Sequence, residues 1–294
     1  MPAVRHPARA GSFYASEAEA LRRQVQACFL HSLGPGAVPT ASETAPTHLV
    51  GLVAPHAGLM YSGPAAAWDY AELARAGRPE LVIIAGPNHT GMGHPAAVSA
   101  ADAWETPLGM VPVSRPDVER LLGHGFVEDE SAHRFEHALE VQLPFLQVIY
   151  GERVPAIVPI VLGAVGASLR ASARALNLEA LAEGLAALTL DRSVVIVASS
   201  DLSHYVPATT ARRQDDKAIA EIVALEPDRL LEVVDENDIS MCGALPVALL
   251  LQALRGTARS ATVLKYYNSG DISGDYAQVV GYAAIAVYAE AGET

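Results

Sequence analysis

Two short apolar runs, each closed by a proline-containing turn that carries a histidine, constrain this chain more than any other feature. They are 49-LVGLVAPHAGLMYSG-63 and 80-ELVIIAGPNHTG-91. Neither run alternates apolar with polar residues, so neither reads as a strand with one wet face. A strand buried on both sides of a parallel sheet has this pattern. In open α/β sheets the groups that touch ligands lie just past the carboxyl ends of such strands. His56 and His89 therefore stand where chemistry is usually placed. A third run, 193-SVVIVASSDLSHY-205, ends in the same way and delivers Asp201 and His204.

Around these runs, strand and helix patterns alternate along the chain, which predicts one α/β domain over residues 1–294. Its central sheet is expected to be mostly parallel or mixed and flanked by helices. Ser16 reads as the N-cap of a helix over 17–33, with Glu19 completing a capping box. Further helices are expected at 65–77 and 168–187, and from Glu136 to Gly151, where Pro144 predicts a kink or break. Short strands are expected at 96–100 and 109–114, and residues 34–47 read as a surface loop.

Charge excludes one class of partner. With 20 basic against 33 acidic side chains the formal charge is −13, so no nucleic acid is expected to bind. The 277-AQVVGYAAIAVYA-289 stretch is too short to span a bilayer and reads as a buried strand, so no membrane is expected. Two cysteines, Cys28 and Cys242, and an N-terminus without an apolar signal segment suit a reducing cytoplasm. Cys28 sits among Val25, Phe29 and Leu33 and reads as a small core residue.

Imidazole suits iron, zinc, copper and nickel, with carboxylate or thiolate partners completing such sites. Beside His56 and His89, the best third ligand is Cys242, in a Met-Cys-Gly turn that enters a helix. There the helix dipole and a metal would favour the thiolate. Asp201 and His204, three residues apart, either ligate or form an acid/base pair, with Asp201 orienting His204. A lone histidine or aspartate in a loop is more often merely solvated, and no HExxH or CxxC spacing reinforces the set. The recurrence of such groups at three strand ends is what raises the functional reading to parity with the bland one. His137 and Glu140, three apart, share a helical face and read as partners that orient a ligand, or as a surface pair. His94, His124 and His133 read as structural or solvent-facing, while Tyr61, Tyr205, Tyr266 and Asn268 are candidates to line the pocket.

At these residues the chain resembles the Memo family, known in bacteria and archaea also as protein B of the AmmeMemoRadiSam system. The matching segments are RHPARAGSFY at 5–14, APHAGLMYSG at 54–63, GPNH at 86–89 and WETPLG at 104–109. They continue with EHALEVQLP at 136–144, SSDLSHY at 199–205 and MCG at 241–243. The family is similar in fold to class III extradiol dioxygenases, in which two histidines and a glutamate hold non-haem Fe(II) and another histidine moves protons. The resemblance implies that His56 and His89 match the metal histidines, that His204 matches the acid/base, and that Asp201 lines the same pocket. Cys242 stands where the carboxylate ligand would be, so dioxygenase activity does not follow from the fold.

Three functions are consistent with this reading. One is a metal-dependent oxidoreductase on an unknown small substrate, with iron the leading ion and copper or zinc as alternatives. Another is a metal- or peptide-binding protein that kept the pocket without the reaction. A third is a zinc hydrolase. The bacterial name also implies association with AMMECR-type and radical SAM proteins.

Overall fold

The three histidine-bearing runs pair side by side at the middle of a mixed sheet. The computed structural model describes residues 3–42 and 48–289; residues 43–47 of the expected 34–47 loop lie outside the described residues. In chain order the first strands are β1 (Val4–Arg5), β2 (Leu49–Ala54), β3 (Leu81–Pro87), β4 (Ala96–Val98), β5 (Ala103–Thr106) and β6 (Gly109–Pro112). The rest are β7 (Val127–Glu128), β8 (Ala156–Leu162), β9 (Val194–Ser199), β10 (His204–Val206), β11 (Ala258–Asn268) and β12 (Val279–Ala289). The helices are α1 (Ala18–Leu30), α2 (Leu59–Arg75), α3 (Arg115–Leu122), α4 (Leu143–Tyr150) and α5 (Leu169–Ala175). They continue as α6 (Leu178–Thr189), α7 (Ala208–Val223), α8 (Pro227–Glu236), α9 (Ala244–Ala253) and α10 (Gly270–Ser273).

The nine-stranded sheet runs β10-β12-β2-β9-β3-β8-β4-β7, with β11 also paired to β12. β2, β9, β3 and β8 are parallel, and the flanking pairs of β12 with β2 and of β8 with β4 are antiparallel. This is an α/β fold consistent with a dioxygenase-like architecture. Helices cover both faces of the central strands, so Leu52, Val53, Ile83, Ile84, Ile196 and Val197 are essentially sealed from water. Each such side chain contributes about 1.5–3 kcal/mol on burial, which is why the runs carry no polar alternation. Because β9 lies between β2 and β3, the turns after all three strands open at one end of the sheet. Among the described residues no helix is long and apolar enough to cross a membrane.

Several boundaries depart from the sequence reading, each for a local reason. α1 starts after Glu17 rather than Ser16, and no side-chain cap forms there. α2 starts at Leu59 and runs through Pro64. Proline removes a donor and leaves the preceding turn's carbonyl without its partner. One bond further along, the Tyr267 hydroxyl inserts into the ladder: it donates to Tyr61 O at 2.5 Å and accepts from Ala65 N–H at 3.2 Å. α4 begins only at Leu143, with Pro144 in its first turn, where a missing N–H costs nothing. Residues 136–137 are therefore irregular and 138–139 a turn, followed by a short 3₁₀ segment at Glu140–Gln142. The expected 168–187 helix is two, α5 and α6, split at Asn177, which takes a left-handed φ of 52°. Residues 103–106, expected as a connection, form β5, which joins β1 and β6 in a small second sheet.

Candidate metal centre

The end of β2 presents His56, and two contacts fix it. Its backbone N–H donates to Asp201 Oδ1 at 2.8 Å, and its Nδ1 meets Ser199 Oγ at 2.9 Å. The Ser199 hydroxyl donates its single proton to Ala138 O at 2.7 Å and accepts from Gln142 Nε2 at 2.8 Å. It can therefore only accept from His56, so Nδ1 carries the proton and Nε2 is left with its lone pair. That Nε2 lies 3.2 Å from Cys242 Sγ.

His89, in the turn after β3, is fixed in the same manner by a different group. Glu136 accepts from the His89 backbone N–H at 2.6 Å and from Nδ1 at 2.9 Å, again leaving Nε2 free. Cys242 comes from the turn before α9, packed on the β9 turn. Gly243 is required there, because a Cβ would lie 2.4 Å from Ser200 Cβ and 2.5 Å from Ser199 O. The Asp201 N–H donates to Cys242 Sγ at 3.3 Å. One donor atom each from His56, His89 and Cys242 lies within 4.8 Å of the others. Burial and then the nearby Asp201 charge push the Cys242 thiol up. The helix N-terminus, expected to favour the thiolate, does not outweigh burial by itself.

His137 completes the cluster. Its ring stacks on His89 at 4.5 Å and 20°, meets His56 edge-on at 5.5 Å, and is covered on another side by Phe13 at 4.5 Å. Burial, reinforced by His56, pulls its pKa down to about 3, so it is a neutral wall at ordinary pH. Glu136 Oε1 also accepts the backbone N–H groups of His137 and Ala138, at 2.8 and 2.9 Å. Burial works against its charge, but the His89 hydrogen bond and charge and the Ala138 N–H outweigh it and bring its pKa to about 2. His89, Glu136 and His137 also lie within metal-holding reach of one another. Three N–H donors already occupy the inner oxygen of Glu136, and His137 lies flat on His89, so this second trio is support for the first.

Asp201 is buried behind the trio, and burial raises its pKa against the pull of the His56 N–H. His204 is partly exposed at the rim. Its backbone N–H donates to Ser240 Oγ at 2.7 Å, and its Nδ1 donates to Ser240 O at 2.8 Å, which leaves Nε2 open. The next residue, Tyr205, stands at a φ of 56°, unusual for a side chain of that size, with its ring in solvent.

His56, His89, Asp201, His204 and Cys242 thus gather at one sheet end, with His137 against them. Glu140 does not: its carboxylate binds Arg5 at 2.6 Å, the N–H groups of Ala8 and Arg9 at 2.9 Å, and the Tyr14 hydroxyl. The group that turns to the histidines is Glu136, one residue before His137. Sequence reasoning passed over it together with Ser199 and Gln142, although all three lie inside the quoted EHALEVQLP and SSDLSHY segments. Tyr266 donates to Asp215 and stays out of the cluster, and Cys28 is buried against Gly63. His94 and His133 make local backbone contacts, and His124 packs against Gly184.

The donor set itself fits a transition metal. Two imidazoles with their outer nitrogens bound and their inner nitrogens bare, beside a thiol, suit iron, copper or zinc rather than calcium or magnesium. Fold and cluster together define an α/β protein with a two-histidine, one-cysteine pocket at the carboxyl end of a mixed sheet. The description "Memo-like protein" matches residues 5–286, and the chain belongs to that family. A MEMO1 family protein of Methanopyrus kandleri is 44% identical over 284 residues, covering 96% of this chain and 98% of that one. Relatives of the same description from Ignicoccus hospitalis and Thermotoga maritima are 46% and 42% identical, again over 96–97% of this chain and 98–99% of theirs. The crystal structure of an uncharacterized protein from Escherichia coli K12 shares the fold. It has a TM-score of 0.53 at 16% identity, covering 81% of this chain and 99% of that one.

Proposed function

We propose that this protein binds a transition metal through His56, His89 and Cys242, with iron(II) the leading ion and copper or zinc as alternatives. One observation carries the reading: separate partners, Ser199 and Glu136, hold both imidazoles with Nε2 bare beside Cys242 Sγ. Metal-binding histidines almost always donate their other ring N–H in this way. When bound, a redox-active ion would supply electron transfer and Lewis acidity to an unknown small substrate, making the protein an oxidoreductase. The remaining chemistry falls to the chain's own groups. His204, its Nδ1 proton anchored on the Ser240 carbonyl, can take a proton at Nε2 and return it. Asp201 ties the His56 and Cys242 turns together. His137 and Phe13 close one side of the pocket against water.

A second reading is a metal- or peptide-binding protein without turnover, associated with AMMECR-type and radical SAM partners. Cys242 in place of a carboxylate favours it, since a thiolate is softer and more easily oxidised. Two free cysteines suit a cytoplasmic location for either. Elemental analysis of anaerobically purified wild type beside His89→Ala and Cys242→Ala tests the metal site. Near-stoichiometric metal lost in both variants supports it; no metal in the wild type after reconstitution removes it. Oxygen uptake abolished by His204→Ala, with metal retained, then separates the enzyme from the binder.

A further inference from the structure

We infer that Glu136 and Ser199 make the two histidines unequal ligands, with His89 the stronger electron donor because a buried carboxylate stands behind it. The inference rests on the metal-binding reading and assigns Glu136 and Ser199 as positioning residues within it. Behind His56 is a neutral hydroxyl whose own proton is committed to Ala138 O. Behind His89 is an anion that receives the ring N–H and the backbone N–H of the same residue. A carboxylate in this position raises the basicity of the ligating imidazole, whereas a hydroxyl orients the ring with little polarisation.

Neither support can swing away. Glu136 is fully buried, and its inner oxygen is also pinned by the N–H groups of His137 and Ala138. The loop carrying it is held from the far side by Arg5, which donates to Glu136 O at 2.6 Å and His133 O at 2.9 Å. Ser199 is pinned by Gln142, whose Oε1 accepts from the Tyr70 hydroxyl at 3.0 Å and whose Nε2 also reaches Pro55 O at 3.0 Å. The chain Tyr70–Gln142–Ser199 thus runs from the core of α2 to the His56 ring and sets its tautomer.

The test uses Co²⁺ as the probe, titrated anaerobically into the full chain in competition with a chelator of known affinity. The samples are wild type, Glu136→Gln and Ser199→Ala. Glutamine is isosteric, and its one carbonyl oxygen can replace Oε1 as acceptor for His89 Nδ1 and the His137 and Ala138 N–H groups, so this variant removes the charge and gives up only the bond from the His89 backbone N–H. Affinity in Glu136→Gln is expected to fall toward the hundredfold end of the roughly 10–100-fold range for such supports, and in Ser199→Ala toward the tenfold end. The thiolate-to-cobalt charge-transfer band should persist in both, which a general loss of structure would not allow. Imidazole ¹⁵N–¹H correlation spectra of the metal-free protein give an independent readout. Both His56 and His89 should be protonated at Nδ1 in the wild type, and only His56 should lose that preference in Ser199→Ala. Equal affinities for wild type and Glu136→Gln, or a larger loss in Ser199→Ala, overturn the inequality while leaving the metal site intact. A wild type that binds no Co²⁺ overturns the metal reading itself, and the inequality with it.

Discussion

Glu136 and Glu140 are four residues apart, both fully sealed from water, and they serve opposite ends. A buried carboxylate is tolerated only when it is paired or richly hydrogen-bonded. Glu140 has a resident cation, Arg5, and three further donors drawn from residues 8–14. That cage explains why the RHPARAGSFY segment reads as it does. Arg5 and Tyr14 are its two side-chain donors, and the segment between them brings Phe13 over His137. Arg5 also lies on the Trp104 ring at 4.1 Å, which ties the small sheet to the same point. Glu136 has no arginine or lysine beside it, only peptide N–H groups and the imidazoles of His89 and His137. The difference separates architecture from chemistry. An anion neutralised by its own chain holds the fold; one held by dipoles behind a bare ligand nitrogen keeps its charge available to an arriving cation.

The largest effect should come from breaking the first of these centres. Arg5→Ala leaves Glu140 buried and unpaired and removes donors to His133 O and Glu136 O, so a loss of about 3–5 kcal/mol is expected. Urea denaturation midpoints check it. Glu136→Gln should move the midpoint much less while shifting metal affinity more. If Glu136→Gln proved the more unfolding of the two, the division between the acids would be wrong.

That division was not legible in the sequence, and the reason is physical. His137 and Glu140 have helical spacing, and a helix through 136–151 would put them on one face. Pro144 cannot donate to residue 140, so the regular helix starts at Leu143 and the stretch before it turns back on itself, aiming Glu136 inward. What was legible followed from burial. Strands covered on both faces carry unbroken apolar runs, so β2, β3 and β9 and the histidines past their ends could be placed by pattern. Cys242 is 186 residues from His56, and no periodicity connects them; ligand chemistry and a Met-Cys-Gly turn entering a helix made it the third candidate, and the family resemblance put it in the same pocket. Ser199 and Gln142 carry no signal by type, since a serine at a strand end and a glutamine in an apolar segment are ordinary. Their role exists only in the hydrogen bonds they exchange. The Tyr267 hydroxyl that inserts into α2 beside Pro64 is another such case, joined to Ala65 from 202 residues away.

Acid should sharpen the comparison next. His137 is neutral in the fold with a pKa near 3, against an ordinary value of 6.5. Burial also pulls His56 and His133 down. A depressed folded pKa means that the unfolded chain binds the extra proton first. Each such histidine contributes stability that is complete above about pH 6.5 and is lost as pH falls toward its folded value. The expected slope is about 1.4 kcal/mol per pH unit for each histidine so held. For metal-free protein, urea midpoints should therefore decline steadily from pH 6.5 to pH 4, and His137→Gln should flatten the decline by one histidine's share. A profile level down to pH 4.5 would show that these imidazoles are protonated in the fold, and the neutral wall beside His89 would have to be abandoned.

The smallest effect should come from His204. Its ring makes one hydrogen bond, to Ser240 O, at the partly exposed rim, and it stands outside the trio of donors. His204→Ala should change stability by no more than about 0.5 kcal/mol and leave the metal affinity at the wild-type value. If the histidine moves protons, the entire consequence falls on turnover, seen as lost oxygen uptake with metal still bound. A fall in metal content instead would make His204 a ligand. The pocket would then have two imidazoles set from behind and a third that enters from the rim, and the contrast between a fixed donor set and a free proton carrier would fail.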